Sequence, residues 1–104
     1  MRRLGIFIGT LGLIVGLSAP VLAHTPLVSC WDNGDGTITC EGGFSDGSSA
    51  SGTRTVVKKN GKVVISGKMN EYSEFTFDKP KGSYTVIFDA GEGHKVKVKG
   101  KDIY

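Results

Sequence analysis

The chain has two histidines, and each occupies a position where its ring nitrogens could bind a metal. His24 follows Val21-Leu22-Ala23, which has short residues at the −3 and −1 positions of an export-signal cleavage site. Cleavage after Ala23 makes His24 the first residue of the mature protein. One residue then carries both a free α-amine and an imidazole, a ready-made nitrogen chelate. The α-amine has an ordinary pKa of about 8, so a metal displaces its proton at modest cost near neutral pH. Pro26 has no backbone N–H, so a run of deprotonated amides could use Thr25 but not continue. Further ligands must come from elsewhere in the fold. His94, in Gly91-Glu92-Gly93-His94, is the natural nitrogen donor, and Glu92, Asp46 and Asp89 can add oxygen. Nitrogen-rich ligation suits copper, nickel, cobalt or zinc as divalent ions, with raw affinity favouring copper. The plainer readings are that processing happens to expose His24, and that His94 caps a turn whose dihedrals Gly91 and Gly93 supply.

The export signal itself has the expected parts. Arg2 and Arg3 form a short basic region, Leu4 to Leu17 is apolar apart from Thr10 and several glycines, and Ser18, Ala19 and Pro20 end the run. The run is too short and too rich in glycine for a membrane anchor. Residues 1–23 are therefore a cleaved signal-peptide helix, and residues 24–104 are the mature domain, periplasmic or secreted. Leu27-Val28-Ser29-Cys30 resembles a lipoprotein box, which would instead anchor the protein through Cys30. His24, Thr25 and Pro26 interrupt the apolar run just before that box, and lipidation would strand Cys40.

Removing 23 of 104 residues leaves 81, enough for one small domain that gains from a covalent staple. The mature part holds 11 Lys and Arg against 10 Asp and Glu, a net charge near +1. The basic character of the full chain thus owes much to the signal. No stretch interleaves aromatics with a basic cluster, so nucleic acid is not an expected partner. Cys30 and Cys40 are an even pair in an exported chain, which favours a disulfide. Asn33-Gly34-Asp35-Gly36-Thr37 is a strong hairpin signal. A loop of Gly34 to Gly36 pairs Asn33 with Thr37 and sets Cys30 opposite Cys40, within disulfide reach. Calcium is the competing reading of Asp32 and Asp35. It fails on register, because Gly34 sits where an oxygen ligand is wanted.

The remaining pattern is short alternating strands with turn signals and no helical period. Leu27–Asp32 and Thr37–Phe44 form the stapled hairpin, and Thr53–Lys59 and Lys62–Ser66 a second one turning at Asn60-Gly61. Glu74–Asp78 places Phe75 and Phe77 on one face. Tyr84, Val86 and Phe88 share a face of the next strand. Val96 and Val98 alternate with Lys95, Lys97 and Lys99, giving a half-solvated edge strand. Seven strands at this spacing predict an all-β, antiparallel β-sandwich of transthyretin-like or immunoglobulin-like type. Phe75, Phe77, Tyr84, Val86 and Phe88 are the expected core, and Trp31 reads as packing beside the disulfide.

Enzyme chemistry finds no footing. Ser45 and Ser48 lack a neighbouring histidine base, and no pair of carboxylates is held in a recognisable cleft pattern. Gly91-Glu92-Gly93 is followed by no helix that would make it a phosphate loop. In order along the chain, Phe44-Ser45-Asp46-Gly47-Ser48, Phe75-Thr76-Phe77, Gly82-Ser83-Tyr84-Thr85-Val86 and Asp89-Ala90-Gly91-Glu92-Gly93-His94 carry a family resemblance. The set resembles the small exported accessory subunit of energy-coupling-factor nickel and cobalt transporters. More broadly it is similar to the transthyretin-like or carboxypeptidase-regulatory-like β-sandwich. The resemblance spans residues 38–99. It implies a non-enzymatic periplasmic domain that binds or delivers copper, nickel or cobalt. Its implied partner is a membrane metal-transport complex, and the domain itself would be a monomer or weak oligomer. The alternative is a metal-free structural or protein-interaction sandwich.

Overall fold

Local sequence chemistry sets where each strand turns. The computed structural model describes residues 24–104; residues 1–23, expected to be a signal-peptide helix, lie outside the described residues. Seven strands follow one another: β1 (Pro26–Asp32), β2 (Thr37–Phe44), β3 (Arg54–Lys59), β4 (Lys62–Lys68), β5 (Glu74–Asp78), β6 (Thr85–Asp89) and β7 (Lys95–Lys99). A short 3-10 turn, Gly100–Asp102, follows β7. Asn60 and Gly61 both take positive φ, at 53° and 78°, the mirror-image turn that joins twisted antiparallel strands. In the first hairpin the Asn33 amide donates to the Thr37 carbonyl at 3.0 Å. Asp32 accepts from the Gly34 amide and Asp35 accepts from the Thr37 amide and hydroxyl, so both carboxylates hold the turn together. Among the described residues, no helix is long and apolar enough to cross a membrane.

The strands form two antiparallel sheets, β1-β2-β5 and β4-β3-β6-β7. Between them lies a core that includes Ile38, Cys40, Val57, Phe77, Tyr84, Val86 and Phe88, each under 10% exposed. Cys30 pairs with Cys40 in register, their Cα atoms are 4.0 Å apart, and the disulfide is formed. Phe75 departs from expectation: it is half-buried while Phe77 is 5% exposed. Both lie on β5, an outer strand, but the Tyr84 ring packs edge-on against Phe77 at 6.3 Å, whereas Phe75 lies over Gly67, which has no side chain to cover it. Strand alternation puts Trp31 on the opposite face from Cys30, so it lies half-buried on the outside of the three-stranded sheet, in register with Thr39.

The two sheets differ in charge. Strands β1, β2 and β5 contain four acidic residues and no Lys or Arg. Strands β3, β4 and β7 contain eight Lys or Arg and no acid, and β6 adds only Asp89. Residues 24–104, with 11 Lys and Arg against 10 Asp and Glu, thus fold into a sandwich with one basic and one acidic sheet.

Candidate functional site

The N-terminal arm is fastened to the loop after β2. The Thr25 amide donates to the Ser45 hydroxyl at 2.8 Å, and the Ser45 amide donates back to the Thr25 carbonyl at 2.8 Å. This clasp holds His24 against two side chains. Its ring stacks on Phe44, with centroids 4.4 Å apart and planes only 8° from parallel. Its Nδ1 donates to Asp46 Oδ2 at 3.0 Å. Phe44 is itself supported from the core by Phe88, at a centroid distance of 6.1 Å.

Asp46 is held as firmly as the ring it faces. Its other oxygen, Oδ1, accepts from the Ser48 hydroxyl at 2.6 Å and the Ser48 amide at 3.0 Å. The Ser48 hydroxyl first, then the His24 ring, hold the Asp46 carboxyl well below the usual range, so it is ionised throughout ordinary conditions. Because Asp46 can only accept, the shared proton sits on His24 Nδ1. Two donors bound to one transition metal at about 2.0–2.2 Å, at roughly a right angle, lie about 3 Å apart. The Nδ1···Oδ2 separation therefore suits a shared metal as well as a shared proton. The Nδ1 atom is also the ring nitrogen that can close a chelate with the α-amine of the same residue. Side-chain exposures of 57% for His24 and 37% for Asp46 leave the pair open to solvent on one side.

His94 and Glu92 are placed differently. Both are exposed in the turn between β6 and β7, and His94 Nδ1 donates to the Glu92 backbone carbonyl at 2.9 Å. The His94 amide also donates to the Gly91 carbonyl at 2.9 Å, with Gly91 and Gly93 at positive φ. Asp89 accepts from the Gly91 amide and faces Arg54 and Lys95 at 3.7 and 4.0 Å. That turn lies at the same end of the sandwich as His24, since Phe88 at the end of β6 supports Phe44. Of the five expected ligands the structure joins His24 to Asp46. Among the described residues no group of three or more His, Cys, Asp and Glu could hold a metal ion. Both cysteines are in the disulfide, which leaves no thiolate ligand.

Phe44, Ser45 and Ser48 were not singled out by sequence for this site. The Asp46-Gly47-Ser48 turn carried a local signal for the Ser48 contact, because Asp side chains bond amides two residues on. The Phe44 stack carried none, since it depends on where the N-terminal arm docks. No protein-family model matches the chain, and no curated protein or solved structure matches it either.

Proposed function

We propose that this protein is an exported β-sandwich that binds a divalent transition metal at its processed N-terminus and serves a metal-uptake system. The observation that carries the reading is the His24–Asp46 pair, with Nδ1 and Oδ2 3.0 Å apart and both side chains held by neighbours. Cleavage after Ala23 adds the α-amine as a third donor on the same residue. Amine, ring and carboxylate would then form a mixed nitrogen and oxygen set open on its solvent side, as delivery to a partner requires. Copper(II) is the first metal to test, followed by nickel(II) and cobalt(II). The metal takes the place of the Nδ1 proton and of one amine proton, so binding releases protons and weakens in acid.

The finer architecture reads as immunoglobulin-like. In the constant-type immunoglobulin arrangement the fourth strand joins the first, second and fifth. Here β4 lies instead beside β3, in the sheet of β6 and β7, and the rest of the order is unchanged.

Intact mass of the exported protein tests the cut, and a diacylglycerol on Cys30 would remove His24 and the proposal with it. Calorimetry with copper(II) and nickel(II) then compares the processed protein, a form with one glycine before His24, and Asp46→Asn. The extended form should bind far more weakly although no side chain has changed. Equal affinities in all three proteins would eliminate the site.

A further inference from the structure

The outer face of the four-stranded sheet carries a second, unrelated feature. Register places Lys58, Thr85 and Lys99 in one row across β3, β6 and β7, and Val56, Ile87 and Lys97 in the next. Ile87 and Val56 point outward, yet are only 9% and 3% exposed. They form an apolar floor, with lysines standing on the strands to either side. A cleft of about 640 Å³ opens at the β7 end of this face, between Lys58, Lys97, Lys99 and Lys101, with no acidic residue in its lining. Its neutral polar lining includes Asn60, Ser83 and Thr85. A second, smaller depression shares Lys58, Ile87 and Lys97 with it and continues the groove toward Asp89.

The charge in this groove is uncompensated at one end only. Asp89 faces Arg54 and Lys95, and Asp32 accepts from Lys79 at 2.9 Å. Among the described residues, Lys58, Lys97, Lys99 and Lys101 have no carboxylate partner. Successive outward residues on a strand are about 6.6–6.8 Å apart, and neighbouring strands about 4.8 Å. The backbone positions of Lys58, Lys97 and Lys99 are therefore spread over two rows between β3 and β7, which suits a polymer with repeated charges better than a single small anion.

We infer that this groove binds an acidic polysaccharide, with the lysines on its carboxylate or sulfate groups and Asn60, Ser83 and Thr85 on its hydroxyls. The lining favours that partner over two others. Its aromatic residue, Tyr84, is buried at 7% exposure and offers no face on which a base could stack. The main cleft sinks Ile87 into its floor and a single exposed apolar side chain, Val63 at 46%, borders the second depression, whereas a membrane surface would call for several protruding apolar side chains among the lysines. The proposal does not rest on the metal site, which uses none of these residues.

The test measures binding of the processed protein to polygalacturonate and to heparin at low and physiological salt. The triple variant Lys58→Gln/Lys97→Gln/Lys99→Gln should bind at least tenfold more weakly. The control Lys62→Gln/Lys68→Gln/Lys81→Gln removes the same charge outside the cleft and should stay within twofold of the parent. Circular dichroism establishes that both variants fold. Equal losses in the two variants would reduce the effect to net charge and overturn the proposal. So would tighter binding to phosphatidylglycerol vesicles or to an oligothymidylate than to either polysaccharide.

Discussion

Truncating Phe88 should damage both the core and the proposed metal site, and the structure sets the size of the first effect. Phe88 is 0% exposed on β6, an interior strand of its sheet, and is among the largest fully buried side chains. Its ring passes so close to Gly42 of the facing sheet that a Cβ there would lie 2.7 Å from Phe88 Cε1. Space vacated by Phe88→Ala is bounded by backbone on that side and cannot close by a rotamer change alone. Buried Phe→Ala substitutions cost about 3–5 kcal/mol, and this site belongs toward the upper part of that range. At about 0.05–0.15 kcal/mol per residue, an 81-residue domain has roughly 4–12 kcal/mol in all. The variant should therefore lose on the order of half its stability, and its melting temperature should fall by tens of degrees. Urea unfolding of the oxidised, processed protein measures this, with Phe75→Ala as the comparison. Phe75 is half-buried on an outer strand and should cost about 1–2 kcal/mol less. A Phe88→Ala loss below about 1 kcal/mol, or a larger loss at Phe75, would refute the packing described for the two sheets.

Gly42→Ala should destabilise by about 1–3 kcal/mol, because the new methyl collides with the Phe88 ring and the Met69 sulfur; thermal unfolding reads it. Reducing Cys30–Cys40, which closes a loop of sequence separation 10, should cost roughly 2.5–3 kcal/mol in the chain-entropy treatment, and thiol labelling without reductant should find no free cysteine. Asp46 has a depressed folded-state pKa, so its contribution to stability is present above the ordinary carboxylate value and lost as pH falls through the lower folded value. Asp46→Asn should therefore be less stable than the parent near neutral pH, and the gap should close in strong acid; a gap constant from pH 7 down to pH 2 would contradict the bonding of Asp46 to Ser48 and His24. Metal affinity of the processed protein should fall as pH falls, because protons compete with the metal for the same nitrogens, as calorimetry across pH will report.

Much of the fold was legible because its turns are local. Asn60-Gly61 and the Gly34-Asp35-Gly36 loop specify hairpins from adjacent residues, and a hairpin fixes register, which is why the Cys30–Cys40 pairing followed from spacing. Alternation likewise sorted Val86 and Phe88 from Thr85 and Asp89. What alternation cannot supply is a strand's neighbours. Phe75 and Phe77 share a face in the sequence, but only the packing across the sandwich shows that Tyr84 covers Phe77 while Phe75 meets Gly67 and stays half-covered. The candidate site divides in the same way. His24 and Asp46 were legible as donor types. Their meeting depends on the Thr25–Ser45 clasp and the Phe44 stack, contacts between residues some 20 positions apart.

The basic groove was hidden for a related reason. Lys95, Lys97 and Lys99 read alone as a solvated edge, and β7 is indeed the last strand of its sheet with those lysines exposed. Lys58 lies 37 positions before Lys95 and enters the same face only because β6 inserts between β3 and β7. Charge segregation between sheets is a consequence of that topology, and it separates the two proposed activities in space. His24, Asp46 and the β6–β7 turn lie at the end of the sandwich marked by Arg54, Asp89 and Lys95, whereas the unpaired lysines lie at the Lys58–Lys99 end. A polymer held at the lysine end would leave the His24–Asp46 pair, which uses none of the lining lysines, open to solvent. Binding at one end should therefore leave affinity at the other unchanged, apart from long-range charge effects that salt screens within about 10 Å.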